Sequence, residues 1–296
     1  MAFRIAERSP LGKAIFYIDI DVSKRHMANM KIKHDFSSPS DSGKPFIHPD
    51  RSAARFRPLK ALHHFRELIK DKEDTEQVFH IFECLPRPGF RKDAKAFADS
   101  DKGKALLASE PALSDILDDH ERLRRMPEGS LAHAYCDFME KEGLSAAGLI
   151  AEYDQFSPRK YGDLIEWYGF RQRDTHDLLH ILTGYGRDAL GEACVLAFTY
   201  GQNPALGNLF IAYAAGLNMK KQIKSDAPIF GAIREAQKMG KACPRISEES
   251  ITDLLAQPLD ELRQRLHIRT PHLYHEAHVR FRARDIDPYD MLAQAA

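Results

Sequence analysis

Residues 175–192 read THDLLHILTGYGRDALGE: a helical segment, a pair of glycines and the start of a second helical segment. An α-helix turns by roughly 100° per residue. With His176 set at zero, His180 lies at about 40° and Asp177 at about 100°, so the three side chains share one side of the first helix. Two imidazoles one turn apart beside a carboxylate are typical of a divalent-metal site, as in the His-Glu-x-x-His zinc motif.

Glu192 joins these side chains only if the chain reverses between the two helical segments. On one straight helix it would lie about 18 Å along the axis from His180. Gly184 and Gly186 provide the reversal, because glycine adopts backbone conformations that end a helix. We therefore predict a second helix from Arg187 to Tyr200 that doubles back and presents Glu192 to the first.

The predicted metal site offers two imidazole nitrogens and two carboxylates, from His176, Asp177, His180 and Glu192. This ligand set suits zinc, iron or manganese and does not distinguish among them. The alternative interpretation is that the two histidines are partly exposed surface residues and that Asp177 is a solvated acid.

Apolar residues recur at helical spacing through most of the chain. Leu59, Leu62, Phe65 and Ile69 predict a first helix with one apolar stripe, and Pro58 stands near its start. Similar patterns predict helices over 78–85, 97–108 and 113–123, and a further helix that Ser130 caps and that ends near Gly143. No run of alternating β-branched residues indicates a strand. The sequence thus predicts an all-α fold, a multi-helix bundle with the metal motif on a helix–glycine break–helix unit.

The first 55 residues differ from the rest of the chain. Residues 36–49 are rich in Ser, Pro, Gly and Asp and have no hydrophobic period, which is typical of a linker or a mobile arm. We therefore predict an N-terminal arm over residues 1–55 and one all-α domain over residues 56–296.

Composition excludes several classes of protein. Lys plus Arg and Asp plus Glu both total 43, so there is no basic surplus for a nucleic-acid partner. The four cysteines lack Cys-x-x-Cys spacing, which argues against a disulfide framework and a thiolate zinc site. The apolar stretch 205–217 is shorter than the ~18–20 residues of a membrane-spanning helix, and acids among residues 1–21 argue against a signal or transit peptide. We expect a soluble or peripheral protein.

The metal motif resembles that of the ubiquinone (coenzyme Q) biosynthesis protein "four" family. The family signature is His-Asp-x-x-His followed, after eleven residues, by Glu, and residues 176–180 with Glu192 match it. Arg-Gln-Arg at 171–173 and Leu-Thr-Gly at 182–184 flank the motif as in the family. Residues 126–135 and 258–268 resemble a Leu-Pro-x-Gly stretch and the terminal helix of the family. The resemblance covers roughly residues 56–275.

The resemblance implies a divalent metal, usually zinc, with His176, Asp177, His180 and Glu192 as ligands and catalytic residues. The implied reaction is oxidative decarboxylation, with hydroxylation at the same carbon, of a polyprenylated hydroxybenzoate ring. The alternative is a lipid-binding scaffold that organises the other ubiquinone-biosynthesis enzymes without catalysis of its own. The resemblance also implies a homodimer that contacts the membrane peripherally. The lack of a recognisable transit peptide favours a bacterial member, cytoplasmic and attached to the inner face of the cell membrane.

Three further residues are candidates for binding such a substrate. Arg171 and Arg173 precede the metal motif, and a planar guanidinium matches a carboxylate; the alternative is a surface salt bridge with Glu166 or Asp174. Tyr213 belongs to an apolar stripe that lines a channel for the lipid tail, faces the membrane or forms core. The stripe consists of Leu206, Leu209, Phe210, Tyr213 and Leu217.

Two other features of the sequence allow a further metal site or another function. His272, His275 and His278 are three residues apart, so one helix cannot direct all three at one ion, and we interpret this segment as a solvated tail. A metal phosphohydrolase also uses His-Asp doublets, but it needs another His and Asp from separate helices, and the sequence offers no clear candidates.

Overall fold

A computed structural model of the chain describes residues 43–70, 76–157, 159–287 and 289. Within them the chain forms sixteen α-helices, one 3₁₀ turn (Ile246–Glu248) and no β-strand, which confirms the all-α prediction. The helices are α1 (Pro58–Lys70), α2 (Glu76–Cys84), α3 (Phe90–Asp99), α4 (Asp101–Ser109), α5 (Leu113–Leu117), α6 (His120–Leu123), α7 (Leu131–Glu142), α8 (Ala146–Phe156), α9 (Leu164–Asp174), α10 (His176–Thr183), α11 (Ala189–Gln202), α12 (Leu206–Gln222), α13 (Ile229–Ala242), α14 (Ile251–Leu255), α15 (Leu259–Arg265) and α16 (His272–Arg282).

Short polar side chains set several helix boundaries. The Ser130 hydroxyl accepts from the His133 amide at the start of α7, and the helix ends at Gly143 in the left-handed conformation, both as predicted. The segment expected as one helix over 97–108 is instead divided between α3 and α4. Ser100 makes the division, because it has extended backbone angles and its hydroxyl caps α4.

The centre of the fold is α11. Every residue from Ala189 to Phe198 is buried, and α10, α12 and α13 pack around this helix. Glu192 lies within this stretch and is fully buried. An ionised carboxylate in such a place needs a charged or metallic partner.

The exposed side of α1 differs from the prediction. The core takes Ala61, Phe65 and Leu68, whereas Leu59 is 83% exposed and Leu62 is 37% exposed. The predicted stripe is therefore correct for Phe65 and Ile69, which lie in or against the core, and wrong for Leu59 and Leu62. We call Phe56, Leu59 and Leu62, which all face solvent, the α1 apolar face.

The helix α12 buries its small residues and leaves its larger apolar ones at the border of the core. Gly207 lies against Phe82 of α2, and Gly216 lies against Ile233 of α13. The predicted stripe is half-buried, apart from Leu217, which is 49% exposed. The interpretation of this stripe as ordinary core is therefore wrong in part, because the close helix packing uses the opposite face.

Part of the predicted N-terminal arm contacts the helical body. Residues 1–42 lie outside the described residues. Phe46 and Ile47 pack against a small second core of α3, α4 and α9, and Arg51 forms two hydrogen bonds to Asp163, which caps α9. None of the helices in the described residues is long and apolar enough to cross a membrane.

Candidate metal centre

The helix–glycine break–helix unit is present. The first helix, α10, ends at Gly184, whose φ of 76° is the left-handed conformation that glycine adopts without strain. The second helix, α11, runs over Ala189–Gln202, close to the predicted Arg187–Tyr200. Asp188 caps it by accepting from the amides of Leu190 and Gly191.

The two helices approach each other very closely where the chain reverses. A Cβ atom on Gly191 would lie 1.9 Å from the carbonyl oxygen of Gly186, so only glycine fits this position. This approach places Glu192, the next residue, against the histidines of α10.

Three of the four predicted ligands form a compact group. The Nε2 atoms of His176 and His180 are 3.3 Å apart, and the Glu192 Oε2 atom lies 3.5 Å from the former and 3.4 Å from the latter. Zinc bonds of about 2.1 Å in a tetrahedron place neighbouring ligand atoms about 3.4 Å apart. The triangle therefore fits a tetrahedral divalent ion. In the part of the chain that the structure describes, this is the one such cluster of His, Cys, Asp or Glu side chains.

The environment of the triad orients its ligands. The His180 ring stacks on Phe138 at 5.7 Å between ring centroids. Its Nδ1 atom lies 3.0 Å from the Tyr185 carbonyl oxygen and donates to it, which leaves Nε2 directed at the triad. The side chains of His180 and Glu192 are fully buried and that of His176 is 15% exposed, so the triad opens toward solvent at His176.

Electrostatics favour the charged forms of Glu192 and His180. Burial alone would raise the pKa of the Glu192 carboxyl, but the two imidazoles outweigh it and lower this pKa to about 2. Burial alone would lower the pKa of His180, but the charge of Glu192 outweighs it and raises this pKa above its usual 6.5. A carboxylate that is ionised at every ordinary pH is ready to bind a cation.

Asp177 lies beside the triad but is not part of it. Its side chain is buried, its Oδ1 atom accepts no hydrogen bond from the described residues, and burial raises the pKa of its carboxyl. A buried carboxylate oxygen without a partner is costly unless a cation satisfies it. Asp177 therefore stays a predicted ligand, next to three that the fold brings together.

The two predicted substrate-binding arginines have other partners. Arg171 is buried; its Nη1 atom pairs with Glu110 at 2.9 Å, and it also donates to the carbonyls of Ser247 and Glu249. The surface salt bridge considered for Arg171 is therefore wrong. Arg173 does pair with Asp174, at 2.6 Å.

Tyr213, the third substrate-binding candidate, lies on α12. Its hydroxyl donates to Gln237 at 3.3 Å, and its ring stacks on Phe230 of α13, which is 38% exposed. These contacts join α12 to α13. The role of Tyr213 in binding substrate stays a prediction.

Two arginines near the triad were not predicted from the sequence to belong to the site. The Arg187 Nε atom lies 3.9 Å from Glu192, and its Nη1 atom lies 3.4 Å from Glu142. Arg263 of α15 donates to the carbonyls of Ile181 and Leu182, the last turn of α10. Arg187 lies between His180 and Glu192 in the sequence, so its position indicated that it could lie near the triad. The residues next to Arg263 in the sequence do not indicate its contacts with α10.

The interpretation of the histidine-rich segment as a solvated tail was wrong in part: His272 and His275 are exposed, but the segment is a packed helix. Residues 272–282 form α16, which buries Tyr274, Ala277 and Phe281. Their spacing of three and four residues was the signal for an amphipathic helix. His278 lies on the same helix and contacts Asp188, the cap of α11, at 3.2 Å.

Comparison with known proteins identifies the family. Residues 69–272 match the model of the family described as "Coenzyme Q (ubiquinone) biosynthesis protein Coq4". The mitochondrial ubiquinone biosynthesis protein COQ4 of Lachancea thermotolerans is 28% identical over 67% of this chain and 59% of its own length. The mitochondrial COQ4 homolog of Bos taurus is 29% identical over 62% of this chain and 68% of its own length.

The fold also matches a solved structure. A crystal structure from Nostoc punctiforme, described as a candidate ubiquinone biosynthesis protein, superposes with a TM-score of 0.52 at 18% identity and covers 73% of this chain and all of that one. The chain covers less than two thirds of the Lachancea thermotolerans and Kluyveromyces lactis relatives. Since the family model spans most of the chain, the protein belongs to the Coq4 family, which takes part in ubiquinone biosynthesis.

Proposed function

We propose that this protein is a metal-dependent enzyme that removes the ring carboxylate of a polyprenylated hydroxybenzoate and hydroxylates the same carbon. The observation that carries the proposal is the triad of His176, His180 and Glu192, whose ligand atoms are 3.3–3.5 Å apart. Three protein ligands leave one position of a tetrahedral ion open, which is typical of catalytic rather than structural zinc. We propose zinc as the ion, since two histidines and one carboxylate hold catalytic zinc; the same set also holds non-haem iron, so iron is an alternative, as is manganese.

The proposed reaction needs an oxidant. The bond between the ring carbon and the carboxyl carbon breaks, the carboxyl group leaves as carbon dioxide, and the ring carbon gains a hydroxyl oxygen. With water as the source of that oxygen, two electrons and two protons leave the substrate, and dioxygen accepts them to give hydrogen peroxide. The bound metal supplies a Lewis acid that stabilises negative charge on a ring oxygen.

The residues around the triad have proposed roles in this reaction. Glu192 and His180 would hold the metal from the buried side, and His176, the exposed member of the triad, would hold it on the side where substrate would arrive. In the enzyme, Asp177 is proposed to act beside the open metal position without closing it, supported by its unpartnered Oδ1 atom. Arg173 and Tyr213 are proposed to contact the substrate. Arg171 is a weaker candidate, because Glu110 and two carbonyls already engage its guanidinium.

The second candidate function is a scaffold for other ubiquinone-biosynthesis enzymes. Asp177 supports this candidate if it binds the metal as a fourth protein ligand. Four protein ligands would close a tetrahedral zinc site, and closed sites are structural. Under this proposal the metal joins α10 to α11 and no turnover occurs. The number of protein ligands therefore separates the two candidates.

Metal content and turnover test the proposal. Purified wild type should contain one equivalent of metal by mass spectrometry, and His176→Ala/His180→Ala should lose it. The matched control is His63→Ala/His64→Ala, which removes two adjacent histidines of α1 and should keep the metal. Wild type loaded with zinc, iron or manganese should release carbon dioxide from a prenylated 4-hydroxybenzoate under air. Bound metal without turnover favours the scaffold, and absence of metal in every sample contradicts both candidates.

We also propose that the α1 apolar face rests on a membrane surface. The three apolar side chains are exposed, and the basic residues Arg55, Arg57, Lys60 and Arg66 accompany them with no acid between positions 55 and 66. Apolar side chains beside basic ones bind anionic lipid surfaces, with about 1 kcal/mol for each Lys or Arg near the surface. In a bacterial cell this would be the inner face of the cell membrane.

Vesicle sedimentation tests the membrane proposal. Wild type should sediment with vesicles that contain anionic phosphatidylglycerol, and Leu59→Glu/Leu62→Glu should stay in the supernatant. Val279→Glu is the matched control, because Val279 is 59% exposed but lies on α16. Equal sedimentation of the three proteins would contradict this proposal. The homodimer and the contact with other enzymes of the pathway also stay proposals, and light scattering of the purified chain tests the first.

A further inference from the structure

We propose that α16 is a clamp on the metal centre, in which Tyr274 and His278 hold the connection between α10 and α11 and so position His180 and Glu192. This inference rests on the proposed metal centre for its functional meaning. It concerns the histidine-rich segment near the carboxyl end, which the metal triad does not use.

The clamp meets the connection at two residues. The Tyr274 hydroxyl accepts from the Gly186 amide at 2.9 Å and donates to Oδ2 of Asp188. The His278 Nε2 atom lies 3.2 Å from Oδ1 of Asp188 and donates to it. Asp188 is fully buried, and these two side chains, together with the amides at the start of α11, satisfy its carboxylate.

Residues of the connection between α10 and α11 also form hydrogen bonds with His180 and Glu192. Tyr185, just before the clamped Gly186, accepts the hydrogen bond that orients the His180 ring. Asp188 caps α11, and its carbonyl accepts from the amide of Glu192. Both ligands of the buried side therefore depend on backbone that α16 holds.

The clamp acts through specific hydrogen bonds as well as through packing. Tyr274 is buried, and burial raises the pKa of its hydroxyl far above the ordinary value, so the hydroxyl stays a donor. The space at Gly186 is narrow: a Cβ there would lie 2.8 Å from the Tyr274 hydroxyl. Hydrogen-bonding groups behind metal ligands commonly change metal affinity by about 10- to 100-fold.

Tyr274→Phe tests the clamp, because it removes the hydroxyl and keeps the ring. Because Tyr274 acts one step behind the group that bonds His180, we expect zinc to bind about 10-fold more weakly, the lower end of that range, and the absorption spectrum of the cobalt-substituted protein to change. The control is Tyr168→Phe, which also deletes a hydroxyl bonded to a carboxylate, that of Glu248 at 2.7 Å, on a different part of the fold. The control should keep the zinc affinity and cobalt spectrum of wild type.

His278 provides a test by conservative rescue. His278→Gln places an amide donor near the position of Nε2 and should restore most of the zinc affinity that His278→Leu loses. If His278 only stabilises the fold, His278→Gln and His278→Leu proteins of equal stability should both keep the zinc affinity and cobalt spectrum of wild type. That result would overturn the clamp.

Hydrogen exchange of the metal-free protein separates this inference from the proposed function. Amides of residues 184–192 should exchange faster in Tyr274→Phe than in wild type or Tyr168→Phe. Faster exchange in a protein that never binds metal would keep the mechanical clamp and remove the metal centre. Unchanged exchange with unchanged zinc affinity would remove the clamp and leave the metal centre intact.

Discussion

Arg171 and Glu110 form a buried ion pair whose removal should weaken the fold rather than substrate binding. Both residues are 1% exposed, and their closest atoms are 2.9 Å apart. Among the described residues, Arg171→Met leaves the Glu110 carboxylate with neutral partners, the Ser250 hydroxyl and Thr252. Removing one member of a buried pair costs about 3–5 kcal/mol, which for a chain of this size lowers Tm by roughly 10 °C.

Denaturant unfolding followed by circular dichroism measures this free energy. The double variant Arg171→Met/Glu110→Gln should lose less unfolding free energy than the sum of the losses in Arg171→Met and Glu110→Gln, by about 1–3 kcal/mol. The reason is that a neutral amide at position 110 tolerates the loss of the guanidinium. Arg124→Met is the control, since Arg124 pairs with Asp137 and Glu140 on the surface, and it should change stability little.

The pH dependence of the same measurement has a definite sign. Burial opposes ionisation of Glu110, but the Thr252 amide and Arg171 outweigh it and lower its pKa below the usual 4.5. A lowered native pKa stabilises the fold above pH 4.5 and loses this effect as the pH falls through the native value. The difference between wild type and Arg171→Met should therefore shrink in acid. An Arg171→Met protein with wild-type stability and weakened substrate binding would refute the reasoning and restore a substrate contact.

Two more predictions concern the metal unit. Zinc affinity, measured by competition with a chromophoric chelator, should rise as the pH increases through and above 6.5. The reason is that Glu192 raises the pKa of His180, whose proton competes with the ion. A zinc affinity that does not change with pH would contradict this. Gly191→Ala should abolish zinc binding and destabilise the fold, since its Cβ would meet the Gly186 carbonyl at 1.9 Å. Gly184→Ala has open space around its Cβ and should cost only the strain of its left-handed backbone, about 1–2 kcal/mol in thermal unfolding.

The sequence predicted the local features of the centre well. The reversal at Gly184 and the placement of Glu192 against two histidines depend on spacing within one short segment, and spacing is visible in a sequence. Asp177 shows the limit of this reasoning. Its angle of about 100° from His176 put it on the correct side of α10, but side-chain direction and neighbouring helices decide which atoms converge.

The failures involve partners that are distant in the chain. For Arg171 the sequence suggested a substrate carboxylate or a nearby acid as the partner, whereas Glu110, 61 residues away, binds it. The apolar stripes of α1 and α12 were oriented by periodicity alone, which indicates a helix but not which of two apolar faces meets the core. The histidines of α16 were judged without the buried face of Tyr274, Ala277 and Phe281, which docks that helix.

The contacts between Asp188 and α16 join residues that are 86 and 90 positions apart. The ligands themselves lie close together, so they leave the ribosome long before the helix that holds them. At about 5–20 residues per second, the delay between Asp188 and Tyr274 is roughly 4–17 s. During synthesis the two histidines and Glu192 therefore leave the ribosome before α16 exists. The centre is then completed last, when the carboxyl-terminal helix docks.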